Sequence, residues 1–191
     1  MRIELVHEAP THETAWVVAA YETPVSDHTW HLTATGATPA PVLQDLLVDL
    51  ADGDEWNMAG AAPVDETTVA AATMPLADAG WKHTADERWI RWTSPARDAG
   101  VQFDSFVAQY PNQSLATWTV WAGPSLNRAT WILTASAHTP SSLLAGLYEN
   151  LAHGDGTRRH SSGTRHKPLH LPTAPPAVTL PVPGTRPGPH R

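Results

Sequence analysis

The sequence predicts an α+β fold: an antiparallel sheet with helices packed on one face, two internally repeated strand–strand–helix halves, and a disordered C-terminal tail. Three observations predict it. Strand-like segments come in runs that each close with a helix, rather than alternating strand with helix. A stretch opening at Trp30 recurs at Trp131. All nine Trp, three Tyr and two Phe of the 191 residues lie before residue 150, so any core must be built ahead of that point.

The first copy begins with Ala15-Trp16-Val17-Val18-Ala19-Ala20-Tyr21, a strand, and turns through Pro24, Ser26 and Asp27. Trp30-His31-Leu32-Thr33-Ala34-Thr35 follows. Its alternation places Trp30, Leu32 and Ala34 on one face and His31, Thr33 and Thr35 on the other. Thr38-Pro39 then reads as an N-cap with proline at the first helical position. Val42, Leu43, Leu46, Leu47 and Leu50 make the apolar stripe of a helix, Asp45, Asp49 and Asp52 its wet face, and Gly53 its end.

Between the copies, Glu66 to Ala79 reads as a short helix interrupted at Pro75. Strands are expected at Trp81 to Thr84, Trp89 to Thr93 and Val101 to Phe106, with turns at Ala85-Asp86-Glu87 and Pro95 to Gly100.

The second copy repeats the first. Thr117-Trp118-Thr119-Val120-Trp121 is a strand and Gly123, Pro124 and Asn127 a turn. Trp131-Ile132-Leu133-Thr134-Ala135-Ser136 matches the strand at Trp30. Thr139-Pro140, Leu144, Leu147, Leu151-Ala152 and Gly154-Asp155 continue in register with Thr38-Pro39, Leu43, Leu46, Leu50-Ala51 and Gly53-Asp54. The first 55 residues alone would bury only ~60% of their unfolded surface, against ~70% for ~150 residues. The halves 1–55 and 75–153 are therefore expected to share one core within a body of residues 1–153.

Residues 154–191 hold no aromatic side chain and are dominated by Pro, Gly, Ser, Thr, Arg and His. Such a segment cannot bury enough apolar surface to offset the entropy of ordering it. The expectation is a disordered tail with polyproline II character around Pro172-Thr173-Ala174-Pro175-Pro176 and Pro181-Val182-Pro183. Charge divides at the same place. Up to His153 there are six Lys or Arg against eighteen Asp or Glu, giving −12; the tail has six against Asp155 alone, giving +5. Only two of the twelve cations are lysine, and Ala and Pro abound, a bias suggestive of a GC-rich genome.

The Trp/Leu/Thr-Pro/Leu strand–helix pair, the Gly80-Trp81 opening, and Trp92-Thr93-Ser94-Pro95 followed by Val101-Gln102-Phe103 carry a resemblance. In them the chain resembles the SPDY family of actinobacterial proteins, a domain of unknown function, most securely over residues 75–153. A Ser-Pro-Asp-Tyr signature is reduced here to Ser94-Pro95 followed by Ala96-Arg97. The resemblance implies no catalytic residue, cofactor or substrate.

Several chemistries lack their residues. With no cysteine there is no disulfide framework, thiolate zinc site or thiol nucleophile. His7-Glu8 with His12 misses the helical i, i+4 spacing of a metalloprotease and has Pro10 inside it. His28 and His31 read as a surface pair, and His153, His160, His166 and His170 as weak ligands on a flexible segment. No Gly-x-Ser-x-Gly elbow occurs, and Ser136 beside His138 reads as a turn hydroxyl next to an imidazole. Asp49, Asp52 and Asp54, like Glu8 and Glu13, read as solubilising charge. Gly154-Asp155-Gly156 precedes no helix that would cradle phosphate. No catalytic, cofactor or metal residue is assigned.

No segment approaches the ~20 apolar residues of a membrane span. The start, Met1-Arg2-Ile3-Glu4-Leu5-Val6, lacks the basic and apolar blocks of a secretory signal, so a cytoplasmic location is expected. Trp16, Trp30, Trp118 and Trp131 are expected in the core. Trp121, of opposite parity to Trp118, and Trp89, sharing a face with Arg91, are the candidates for an exposed aromatic patch. Three functions follow in order. The first is a non-enzymatic protein-interaction module with an unknown protein partner at Trp89, Arg91 and Trp121. The second is nucleic-acid association through Arg158, Arg159, Arg165 and Lys167 of the tail, assisted by Trp89 or Trp121 and weakened by salt. The third is an enzyme with a site assembled from dispersed residues.

Overall fold

Alternation of large apolar and small polar side chains makes extended chain, and each run of it pairs with its neighbour in sequence. The computed structural model describes residues 1–23, 25–52, 64–110 and 115–154. Along them run β1 (Arg2–Leu5), β2 (Thr14–Tyr21), β3 (His28–Thr35), α1 (Ala40–Asp52), α2 (Glu66–Asp78), β4 (Lys82–Ala85) and β5 (Trp89–Thr93). Then come β6 (Ala99–Asp104), the short α3 (Ser105–Ala108), β7 (Trp118–Ala122), β8 (Trp131–Ala135) and α4 (Ser141–His153). The eight strands form one antiparallel sheet in the order β1-β2-β3-β8-β7-β6-β5-β4.

The centre of that order is a twofold seam. Leu32 pairs with Ala135, Thr33 with Thr134 and Ala34 with Leu133, so each residue faces the repeat counterpart of its neighbour across the axis. The axis falls at Thr33 and Thr134, whose hydroxyls are 2.8 Å apart. Either side of it, Ser136 Oγ accepts from His31 N at 3.0 Å and Thr35 Oγ1 accepts from Ile132 N at 3.1 Å. These are the same bond made twice. The correspondence extends one strand further than the sequence suggests. Ile3 pairs with Val18 and Leu5 with Trp16, as Val101 pairs with Val120 and Phe103 with Trp118. The repeated unit is thus three strands and a helix.

The core lies between the sheet and its helices. Trp30, Leu32, Trp118, Val120, Trp131, Leu133 and Val101 are buried on the helix-facing side. α1 packs against α4, and α4 against α2, so α4 is the middle helix. Leu43, Leu46, Leu144, Leu147 and Leu151 enter the core from α1 and α4, as their helical spacing predicts. α1 supports α4 closely, because a Cβ at Gly146 would collide with the Asp49 carboxylate. Burial there, then the neighbouring Asp45 and Asp52, push the Asp49 carboxyl up.

Several local expectations are corrected. Pro75 does not interrupt α2, whose buried Ala72, Thr73, Pro75 and Leu76 outweigh the one missing hydrogen bond. Asp65 caps α2 by accepting from Thr68 N, and the helix ends in a Schellman motif. Trp81 N reaches Leu76 O and Gly80 N reaches Ala77 O, with Gly80 at φ 72° where a side chain would be strained. Trp81 therefore belongs to this cap, and the strand starts at Lys82. Thr38 and Thr139 do not cap helices. Their hydroxyls sit 3.5 Å and 3.3 Å from those of Thr35 and Ser136, holding the strand-to-helix turns instead. Gly154 ends α4 with φ −73°, without using a left-handed conformation. Trp16, expected in the core, is only half-buried. Gly53 and the tail lie outside the described residues.

Candidate functional site

Between β4 and β5, the sequence Ala85-Asp86-Glu87-Arg88 turns tightly because the Asp86 carboxylate accepts from Trp89 N at 2.7 Å and Arg88 N at 3.1 Å. Those two bonds hold its pKa below the ordinary carboxylate value. The neighbouring chain end is organised by Asp104. Its Oδ1 accepts from Phe106 N and Val107 N, both at 3.0 Å, so it caps α3. The same carboxylate takes the Arg88 guanidinium in three contacts, Nε at 3.2 Å to Oδ1 and 3.0 Å to Oδ2, and Nη2 at 2.7 Å to Oδ2. Burial pushes the Asp104 carboxyl up, but Arg88 and the two amides outweigh it and hold it below the usual range. Arg88 is held above its ordinary value by the same pair.

Fixed in this way, Arg88 lies 4.3 Å from the Trp89 ring and 5.7 Å from the Phe106 ring. Arg91 lies 5.8 Å from the same Trp89 ring, and Tyr110 meets Phe106 at 5.2 Å in a tilted arrangement. Arg91 is itself held by Gln102 Oε1 at 2.8 Å and by Asp86 at 3.7 Å. The result is a continuous strip, Tyr110–Phe106–Arg88–Trp89–Arg91. Two of its three rings are open to solvent, Phe106 at 51% and Tyr110 at 48% exposure, while Trp89 is half-buried. Cation–π contacts and ring stacking hold such a strip in one geometry. On the helix side of α3, an open groove of about 440 Å³ runs along Val69, Ile90, Phe103 and Ala108.

Two of the three residues expected at an exposed patch, Trp89 and Arg91, belong to this strip. The third does not. Trp121 is only 7% exposed, because its indole lies flat over Gly100, where a Cβ would overlap the ring. Arg88, Phe106 and Tyr110 were missed. Phe106 was expected to end a strand, yet the chain turns helical one residue before it. The signal was present as Asp104-Ser105-Phe106, an acid placed to cap a helix. The tail residues Arg158, Arg159, Arg165 and Lys167 lie outside the described residues.

Elsewhere, His28 and His31 meet edge to face at 4.5 Å on the helix-free side. Burial, then His28, holds His31 below the ordinary histidine value. Among the described residues no group of three or more His, Asp or Glu is placed to hold a metal ion. No helix there is long and apolar enough to cross a membrane.

Fold and surface together define an α+β protein with a pseudo-twofold sheet and one aromatic–arginine face. The model of SPDY, a domain of unknown function (DUF317), matches residues 1–56 and 93–157, and the chain belongs to that family. The two matched segments are those that carry the two three-strand-and-helix units. No curated protein and no solved structure matches the chain.

Proposed function

We propose that this protein is a non-enzymatic interaction module that docks another protein on the strip formed by Tyr110, Phe106, Arg88, Trp89 and Arg91. One observation carries the reading: the strip is set in place by Asp104 and Asp86, so little side-chain entropy remains to be lost when a partner arrives. Aromatic and arginine side chains are also the types that dominate binding at protein interfaces. Nucleic acid fits the strip less well. Arg88 and Arg91 already face Asp104 and Asp86, and the body is strongly acidic, so a phosphate backbone finds little free positive charge there.

The test is affinity capture from native lysate with the full chain and with Phe106→Ala and Trp89→Ala. The reading expects a partner held by the full chain and lost by both variants. A partner held equally by all three overturns it, as does binding of nucleic acid that weakens with salt and disappears when 154–191 is removed. Turnover of a small molecule by the purified protein overturns the non-enzymatic part.

A further inference from the structure

We infer that the ligand class of this strip is a proline-rich extended segment, and that the chain supplies one itself: residues 168–189 of its tail dock on the strip in cis. The inference rests on the strip being a docking surface, and it adds what docks.

Proline-rich segments bind aromatic surfaces because their extended conformation is already formed, so little entropy is lost, and because the flat pyrrolidine face packs on a ring. The strip offers rings at a suitable repeat. Arg88 links the Phe106 and Trp89 rings in steps of 5.7 and 4.3 Å. The two rings are therefore separated by no more than about one polyproline turn, three residues rising ~3.1 Å each. Pro172 and Pro175 are three apart and would face the same way on such a helix, one toward each ring. Eight prolines stand between Pro168 and Pro189.

The chain reaches. α4 ends at His153, and its N-terminal end follows β8, at the same end of the sheet as Asp104 and Trp89 but on the opposite face, since Ile90, Trp92 and Phe103 take the helix-facing side. The path to be spanned is therefore back along α4, about 20 Å for its 13 residues, across three strand spacings of ~4.8 Å to β5, and around the sheet's end through roughly one layer, ~10 Å, to the helix-free face. Residues 155–167 span up to roughly 45 Å when extended, which covers this path. Charge assists, because a +5 tail is held near a −12 body. It does not choose the place: the strip's own cations are paired, leaving its rings as the feature a proline can select.

The experiment follows the Trp89 indole N–H resonance, assigned through Trp89→Phe, in the full chain and in a full chain carrying Pro172→Ala, Pro175→Ala and Pro176→Ala together. The inference expects the resonance to differ between them, and a synthetic peptide of residues 168–189 added to the triple variant to restore it. Phe106→Ser in that variant should weaken the peptide about tenfold or more, the usual effect of losing a ring at the centre of an interface. Because Phe106 is exposed, Tyr110→Ser serves as a second surface change that leaves the core alone. An indole unmoved by both the triple change and the peptide overturns the inference. So does peptide binding that is insensitive to Phe106→Ser and Tyr110→Ser, or that fades with salt alone. If the peptide fails while a lysate partner is still lost by Phe106→Ala, the cis ligand falls and the docking surface stands.

Discussion

Residues 2–52 and 99–153 trace the same path of three strands and a helix, and meet at Thr33 and Thr134. Beyond that shared frame they differ. The second half continues past β6 into β5 and β4 and lays α2 beside α4, whereas the first half stops at β1. No described helix stands beside α1 where α2 would have its counterpart. Ile3 and Leu5 therefore stay exposed on the helix-facing side, and Trp16 is only half-buried. Charge differs as well: residues 1–55 hold one basic side chain against ten acidic, while 75–153 hold five against six. At the equivalent bends, Val6 N and Asp104 N both donate to the strand beside them, to Ala15 O at 2.8 Å and Thr117 O at 2.9 Å. Valine cannot cap a helix and aspartate can, so α3 and the strip exist only in the second half. The frame is set by alternating core residues, and the surface by what is inserted beside it.

Two pairs of substitutions and one single change test this. Leu144→Ala and Leu43→Ala should each cost ~2–5 kcal/mol, with Leu144→Ala the more costly because α4 is enclosed between α1 and α2. Chemical denaturation measures both; a Leu43 variant that loses as much would remove the asymmetry. Gly100→Ala should cost ~1–3 kcal/mol by forcing Trp121 off the sheet. Arg2→Ala, at the matching position of β1, should stay within ~0.5 kcal/mol. A tolerated Gly100→Ala would mean that the indole has room to move. Asp104→Asn should cost about 1–2 kcal/mol, since Arg88 is half-exposed and solvent screens the pair.

The pH dependence of that last change has a definite sign. The Asp104 carboxyl is held low in the folded chain, so its contribution is complete above the unfolded carboxylate value of ~3.9 and is lost as pH falls through the lower folded one. Asp104→Asn should flatten that acid limb of the stability curve, read by melting temperature across pH. An unchanged limb would show that other carboxylates cause it.

The frame was legible because Trp30 and Trp131 head strands with the same parity, followed by helices with the same leucine spacing. β1 was not, since Ile3 and Leu5 share only alternation with Val101 and Phe103 and no residue identity. Trp89 and Arg91 share a face as parity predicts, both half-buried, whereas Trp121 is covered, because parity says which side a ring takes and not whether it lies flat. Gly100 opposite it was the missing clue. Arg88 could not be placed from sequence at all: its role depends on Asp104, sixteen residues away and brought beside it by the β5–β6 pairing.

The hydroxyl contact at the seam bears on stoichiometry. Two free subunits joined about such an axis would each display every surface, and a ligand would be bound twice. Here the two halves belong to one polypeptide, and the strip is built on the second alone. Titration of a chain built this way should saturate at a single equivalent, and avidity would have to come from elsewhere.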